Sequence, residues 1–271
     1  MINKIKNKLR NLIGHEESKT VMNSSFSDNN DYPSFCKKAS NDDNFFRSFR
    51  SNPVFDSIVD VLNHEAGKKF CEHLKSKYPR SLVKIEEYRK NDNIGSPRVY
   101  EYDDFGIISP STLRYVNILF HIEELFENLN DFNIVELGIG YGGQSRLINE
   151  SFNTSSYSFI DLPEVLGLAK RYLSNFPSSS DLFFYHIDNL KIKQYDLFIS
   201  NYAFTELRRD LQDFYLENVI LKSDRGYMIY NDINPKDFNS LKKDDLVKLI
   251  PNSKVLPEIP MTSEKNCIIY W

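Results

Sequence analysis

Along the second half of the chain, short apolar runs alternate with segments whose apolar residues recur at helical spacing, which is the signature of β-α-β units and a largely parallel sheet. The runs predict strands at Asn133 to Leu137, Ser156 to Ile160, Leu182 to Ile187, Tyr195 to Ser200, Gly226 to Tyr230, Lys254 to Leu256 and Cys267 to Trp271. Helices are predicted near Gly143 to Glu150, Pro163 to Leu173, Glu206 to Leu221 and Pro235 to Leu249, with Asn234-Pro235 as cap and first-turn pair of the last. Upstream, Phe55, Ile58, Val59, Leu62, Ala66, Phe70 and Leu74 form one apolar stripe. It predicts a single helix from Pro53, capped by Ser51 or Asn52. A second helix is expected from Ser109-Pro110-Ser111 through Tyr115, Leu119, Ile122 and Phe126, with a loop-rich stretch from Asn91 to Ile108 between the two. The fold class is α/β: a mostly parallel seven-stranded sheet with helices on both faces, residues 130–271, preceded by a helical N-terminal cap within residues 1–129.

The first fourteen residues are amphipathic. Ile2, Ile5, Leu9, Leu12 and Ile13 recur at helical spacing among Lys4, Lys6, Lys8 and Arg10, until Gly14 ends the pattern. Such a basic helix suits weak binding to an anionic membrane surface or self-association, and otherwise packs on its own domain. Residues 15 to 50 are rich in Ser, Asn and Asp but carry Phe26, Tyr32, Phe35, Phe45, Phe46 and Phe49. Free linkers rarely hold so many rings, so this stretch reads as an arm or lid.

Composition narrows the function classes. With 34 Lys+Arg against 38 Asp+Glu the net charge is -4, which excludes binding to nucleic acid by bulk charge. The 14% of aromatic residues excludes a disordered chain. Cys36, Cys71 and Cys267 are odd in number and far apart, without zinc or redox spacing, and are expected as thiols in a reducing cytoplasm. No apolar run approaches the roughly 18 residues that span a bilayer. The expected location is cytoplasmic, peripheral at the inner membrane surface if the first helix binds lipid.

The stretch that carries most chemistry is Val135-Glu136-Leu137-Gly138-Ile139-Gly140-Tyr141-Gly142-Gly143-Gln144. Gly138, Gly140 and Gly143 fit the dinucleotide pattern G-x-G-x-x-G, and so many glycines imply close approach of a ligand to the backbone. Glu136 separates two cofactors. A carboxylate beside the turn disfavours a pyrophosphate and favours S-adenosylmethionine, which has no phosphate and carries a sulfonium and an ammonium. Asp161, at the end of the next predicted strand, can bind ribose hydroxyls of either cofactor; otherwise it is an acid stabilised by a helix N-terminus.

These residues resemble the class I S-adenosylmethionine-dependent methyltransferases, and within them the sugar O-methyltransferases. The resemblance covers roughly residues 90 to 271. It rests on Ser109-Pro110-Ser111-Thr112-Leu113-Arg114-Tyr115, on the glycine segment and on Ile160-Asp161-Leu162-Pro163-Glu164. Ser200-Asn201-Tyr202-Ala203-Phe204-Thr205-Glu206-Leu207 and Leu256-Pro257-Glu258-Ile259-Pro260 complete it. It implies a Rossmann-like fold, S-adenosylmethionine as cofactor and a sugar or sugar-nucleotide hydroxyl as acceptor, in surface glycan biosynthesis. On this reading the cofactor contacts are Glu136, Gly138, Gly140, Tyr141, Gly142, Gln144, Asp161, Leu162, Asp188 and Asn201, with Asp188 meeting adenine.

An alcohol is a poor nucleophile at neutral pH, so the reaction calls for a general base or a metal. In an open α/β sheet the candidates follow the carboxyl ends of the strands. Glu206 is the first choice, because the resembling family keeps an acid at this place; Asp232 and His186 are the alternatives. Arg114, Tyr202 and Glu206 are the candidate acceptor contacts, with Arg114 able to take an acceptor carboxylate or phosphate, or the methionine carboxylate of the cofactor. A divalent metal between Glu206 and Asp232 is not favoured, since no ligand pattern supports it. The aromatic residues of the arm and of Tyr100 to Phe105 can roof a sugar or fill the core. The rival classes are an NAD-dependent oxidoreductase, a methyltransferase for another small hydroxylated metabolite, and a silent scaffold. A homo-oligomer is compatible with the sequence, and nucleic-acid methylation is disfavoured.

Overall fold

Ser25 and residues 31–271 are described by a computed structural model. The predicted helix over residues 1–14, and Phe26 of the arm, lie outside the described residues. The loop-rich stretch holds a short hairpin that the pattern did not predict, β1 (Tyr100–Tyr102) and β2 (Gly106–Ile108). The predicted runs then form β3 (Asn133–Leu137), β4 (Ser156–Ile160), β5 (Asp181–Tyr185), β6 (Tyr195–Asn201), β7 (Ser223–Tyr230), β8 (Lys254–Pro257) and β9 (Cys267–Tyr270). Their order is β5-β4-β3-β6-β7-β9-β8. The strands from β3 to β7 pair in parallel, while β9 runs antiparallel between β7 and β8. The order reverses at β3, so the crevice above the carboxyl ends of β3 and β6 is where a sheet of this kind receives a ligand.

Both faces of the sheet are covered, which is why every residue of β4 is buried, Ser156 and Ser158 included. Along β3, Ile134 faces one core and Val135 and Leu137 the other. The first core contains α1 (Asp31–Asn41), α2 (His64–Lys77), α3 (Pro110–Phe126), α4 (Gly143–Ser151) and α5 (Pro163–Leu173). The second lies beneath α6 (Arg209–Asn218) and α7 (Lys243–Leu249). The N-terminal cap therefore shares its core with one face of the sheet.

Capping residues set several boundaries. Ser109 accepts from the Thr112 N–H at 3.1 Å ahead of Pro110, and Asn52 accepts from Val54 at 3.0 Å ahead of Pro53. The stripe from Phe55 to Leu74 is not one helix. It breaks after Asp56, and Asn63 caps α2 by accepting from Ala66 at 3.0 Å, because Asp60 between them is drawn into a buried ion pair. The helix predicted from Pro235 begins only at Lys243. Asn234 donates to the Thr205 carbonyl at 2.7 Å instead of capping, and Asn239 takes a left-handed φ of 49°. The helix predicted from Glu206 is first a tight turn, Ala203–Glu206, and becomes α6 at Arg209.

The described part of the arm is pinned. Along α1, Tyr32, Phe35, Cys36 and Ala39 are buried, and Gly167 of α5 admits Ser40 close to its backbone. Arg171 of α5 donates to the carbonyls of Ala39 and Ser40 at 3.2 and 3.3 Å. Ser25 forms an isolated antiparallel bridge with Leu207, just past the turn that follows β6. The three cysteines are free and buried, and burial pushes the Cys36 thiol up to about 12. No helix among the described residues is long and apolar enough to cross a membrane.

At the junction of cap and sheet sits Arg50, fully buried, with all five N–H groups bonded. Nε and Nη2 grip both oxygens of Asp60 at 2.7 and 3.2 Å, Nη1 donates to Asp92 and to the Asn91 carbonyl at 2.9 and 3.0 Å, and Nη2 also reaches Ser109 at 3.2 Å. Removing one partner of a buried pair leaves charge uncompensated and costs about 3–5 kcal/mol. Arg50→Met is expected to lose that much in urea denaturation followed by far-ultraviolet circular dichroism; a loss below about 1 kcal/mol, the scale of an exposed pair, would contradict this role.

Candidate active site

Between β3 and α4 the chain turns through Gly138, Gly140 and Gly142, at φ values of 86°, 57° and 95°. In that region a side chain is strained, and at Gly138 it would also collide: a Cβ there would lie 2.1 Å from that of Ala203. The close approach of Gly138 to the turn after β6 narrows the crevice at the point where the strand order reverses. Gly143 opens α4, and a Cβ on it would meet the rings of Tyr115 and Tyr141 at 2.6 Å. The first turn of α4 is thus buried under aromatic rings, in the position where a dinucleotide fold seats its pyrophosphate.

Tyr141 is turned into the cap. Its ring is fully buried against Phe49, Phe55, Tyr115 and Tyr172, and the Arg50 guanidinium lies 4.6 Å from its centre. Gln144 is also buried, donating to the Tyr115 carbonyl at 3.3 Å. Both side chains therefore fasten the glycine turn to the cap and not to the crevice. Asn91 adds a third tie, donating to the Gly143 carbonyl at 3.1 Å while accepting from Tyr172 at 2.9 Å.

Glu136 is 2% exposed and accepts from the Tyr157 hydroxyl at 2.9 Å. Burial, against the lowering effect of that hydrogen bond and with Asp161 adding to the rise, raises its carboxyl to about 8. Without a cation beside it, Glu136 is therefore mostly neutral at pH 7. Asp161, just past β4, accepts from the Leu162 N–H at 2.8 Å, and Leu162 stands at the N-cap of α5. His186 and Asp188 follow β5, and pair with each other at 3.2 Å. His186 lies one residue beyond the strand in which the apolar pattern put it.

After β6 the structure gathers most of the remaining candidates. Asn201 ends the strand with a buried side-chain oxygen that has no hydrogen-bond partner. Tyr202 adopts a left-handed φ of 69°, which costs about 1–3 kcal/mol for a residue of its size. Its N–H donates to the Ile229 carbonyl at 3.0 Å and its hydroxyl donates to Glu258. Thr205 bonds Asn231 at 2.6 Å, and Asn231 donates to Glu206 at 2.9 Å. Glu206 is thereby held by the loop after β7. Asp232 on that same loop is ion-paired with Lys242 at 2.6 Å. Arg114 donates to the Val59 carbonyl at 3.1 Å and lies between the rings of Tyr115 and Tyr202, 5.5 and 5.7 Å from their centres.

Two residues of this framework were absent from the sequence candidates. Glu258 is 6% exposed and accepts from Tyr202, from the Thr262 N–H and hydroxyl, and from Asn266. It was visible only as the acid of Leu256-Pro257-Glu258-Ile259-Pro260. Thr205 ties two loops in a way that no spacing announces. The rings of Tyr102 and Phe105, like those of the arm at Tyr32, Phe35 and Phe49, are buried and fill the core instead of roofing a crevice. Among the described residues no group of three or more His, Cys, Asp and Glu could hold a metal ion.

No family model matches the chain. Among solved structures it is similar to the magnesium protoporphyrin IX methyltransferase of Synechocystis with bound S-adenosylmethionine, at 10% identity over 80% of this chain and 95% of that one, with a TM-score of 0.45. It is also similar to an S-adenosylmethionine-dependent methyltransferase of Clostridium acetobutylicum, at 14% identity over 56% and 88% of the two chains and a TM-score of 0.42. The fold is a Rossmann-like α/β fold. That assignment rests on the strand order and the glycine turn, not on these superpositions.

The raised carboxyl of Glu136 has a sign that can be measured. Between its ordinary value near 4.5 and about 8 the folded chain holds a proton that the unfolded chain has released, so this group's contribution to stability is lost as pH rises through that window. Glu136→Gln keeps an acceptor for Tyr157 and removes the titration. Urea unfolding between pH 5 and 8 is expected to show a shallower fall for the variant, by as much as about 1.4 kcal/mol per pH unit; equal slopes would contradict the raised value.

Proposed function

We propose that the chain is an S-adenosylmethionine-dependent O-methyltransferase, acting on a hydroxyl of a sugar or sugar nucleotide in surface glycan biosynthesis. The observation that carries the cofactor choice is the start of α4, which lies under Tyr115 and Tyr141 where a dinucleotide needs room for its pyrophosphate. That geometry favours a nucleoside without pyrophosphate over NAD. Glu136, held near neutrality, can ionise when a sulfonium or ammonium arrives, and Asp161 stands at the strand end where ribose hydroxyls are bound. The buried, unpartnered oxygen of Asn201 fits a donor on the ligand. The sugar acceptor follows from the resemblance of the segments around Arg114, Gly138 and Glu206.

When bound, S-adenosylmethionine supplies an electrophilic methyl group on sulfur. Glu206 would accept the proton of the acceptor hydroxyl, and Asn231 keeps its carboxylate aimed. Tyr202 and Glu258 form a fixed wall for the acceptor. Asp232 is the weaker candidate for the base because Lys242 already neutralises it. His186, paired with Asp188, belongs on this reading to the adenine side of the crevice.

Titration calorimetry is expected to show S-adenosylhomocysteine binding and no NAD binding; the reverse would overturn the cofactor choice. With sugars and sugar nucleotides as acceptors, mass spectrometry should detect replacement of a hydrogen by a methyl. Glu206→Gln should abolish that gain while S-adenosylhomocysteine affinity stays within about twofold, since a base acts on the chemical step and not on cofactor binding. Full turnover in the variant would reassign the base.

A further inference from the structure

The sheet ends at β5, and the outer side of that strand pairs with nothing among the described residues. The Asp181 N–H donates to the Ser155 carbonyl at 3.2 Å, and the Tyr185 carbonyl accepts from the Asp161 N–H at 3.3 Å. These residues therefore turn their backbone groups towards β4. By the alternation of a strand, Leu182 and Phe184 turn theirs outward, where a further strand can take them. Edges of this kind are usually blunted by proline, by a bulge or by lysine within the strand. Asp181–Tyr185 has none of these.

The same edge is apolar and carries two charges without partners. Phe183 is 37% exposed and stacks on Tyr185 with ring centres 6.2 Å apart, and Ile192, next to Lys193 in the chain, is 41% exposed. The Lys193 ammonium lies 5.1 Å from the centre of the Phe183 ring and 5.2 Å from that of Tyr195. No acid offsets it: burial and the nearby Lys191 both pull its pKa below the ordinary lysine value. Asp181, exposed at the start of the strand, likewise makes no ion pair among the described residues. Within one copy the two charges do not meet.

A twofold axis at Phe183 brings them together. Antiparallel pairing of β5 with itself in that register uses all five residues of the strand, setting Phe183 against Phe183 and Asp181 against Tyr185 of the second copy. Leu182 and Phe184 then exchange hydrogen bonds across the axis, as their outward groups require. Phe183 falls at a non-hydrogen-bonded position, where facing Cα atoms stand about 4.5 Å apart. Asp181, Phe183 and Tyr185 share one side of the strand, so the acid arrives on the face that Lys193 covers.

We infer that the chain forms a homodimer by antiparallel pairing of β5 across a twofold axis at Phe183, with Lys193 of each copy facing Asp181 of the other. The two sheets become one, and the exposed rings are covered. The interface is independent of the cofactor and acceptor reading. Pairing also steadies the end of β5, which His186 and Asp188 follow.

Sedimentation velocity over a dilution series of the full chain tests the oligomeric state, and disulfide trapping tests the register. The wild type is expected as a dimer that dissociates on dilution. Phe183→Cys should oxidise to a covalent dimer, because the facing Cα separation lies within disulfide range; Val255→Cys on β8, at the other edge of the sheet, should not. The native cysteines are buried and do not compete. Lys193→Glu and Asp181→Lys should each weaken the dimer about fivefold, the scale of two exposed ion pairs lost together, and the double variant should recover most of that loss. This recovery keeps Phe183 in place, so it does not depend on how a substitution there is tolerated. A monomer at every concentration would overturn the inference. So would trapping through Val255→Cys and not Phe183→Cys, which marks the other edge. A dimer that neither traps at Phe183 nor responds to the charge reversals is held by another surface, residues 1–14 included, and overturns it as well.

Discussion

The Arg50 guanidinium occupies a place where three parts of the chain meet, and the rest of the structure is arranged around satisfying it. Its five N–H groups reach Asp60 of the cap, Asn91 and Asp92 of the connecting loop and Ser109 at the start of α3, while its face covers Tyr141 of the glycine turn. Asp92 in turn accepts from the Ser109 N–H at 2.7 Å and from Thr112 at 2.8 Å, so the N-terminus of α3 is fixed by the same charge cluster. A half-satisfied network at this depth would cost more than an apolar core; a complete one gives a single arrangement of cap, helix and turn. The part of the cap that holds Arg50 and Asp60 therefore stands directly against the glycine turn.

That contact explains how a turn of glycines can stay in one shape without a ligand. Glycine gives the left-handed backbone but no contacts, so the order has to come from neighbours. Tyr141, Gln144 and Asn91 supply it from the cap side, and Ala203 presses on Gly138 from the β6 side. Opposite them, Tyr202 is held in an unfavourable conformation by the Ile229 carbonyl and by Glu258, and Glu206 by Asn231. Strain of this kind persists only where surrounding bonds over-determine it, and it lies here at the reversal of strand order, where function is expected.

The sheet was legible in the sequence because its parallel strands, covered on both faces, carry apolar residues at most positions; β3 and β4 match their predicted limits, and so does α5. The glycine turn and the caps at Asn52 and Ser109 were legible because each rests on local chemistry. What the pattern missed depends on contacts distant in sequence. The stripe from Phe55 to Leu74 has helical spacing throughout, yet it breaks where Asp60 leaves to meet Arg50. Asn234-Pro235 has the form of a helix start but is taken up by Thr205, nearly thirty residues upstream. In the site, Tyr141 and Gln144 occupy the expected motif positions with their side chains directed into the cap, a direction that no spacing encodes. Glu258 gave no signal beyond its place in a resembling segment, because its role consists of three partners brought together by the loop before β9.

We propose that the crevice between the carboxyl ends of β3 and β6, walled by the cap, holds S-adenosylmethionine. A crystal structure of the chain with S-adenosylhomocysteine tests it most directly. The ligand is expected on the Gly138–Gly142 backbone, its ribose at Asp161 and its amino-acid end towards Glu136, with Tyr115 and Tyr141 still covering the start of α4. A ligand lodged elsewhere, or those two rings displaced to admit a dinucleotide pyrophosphate, would contradict it.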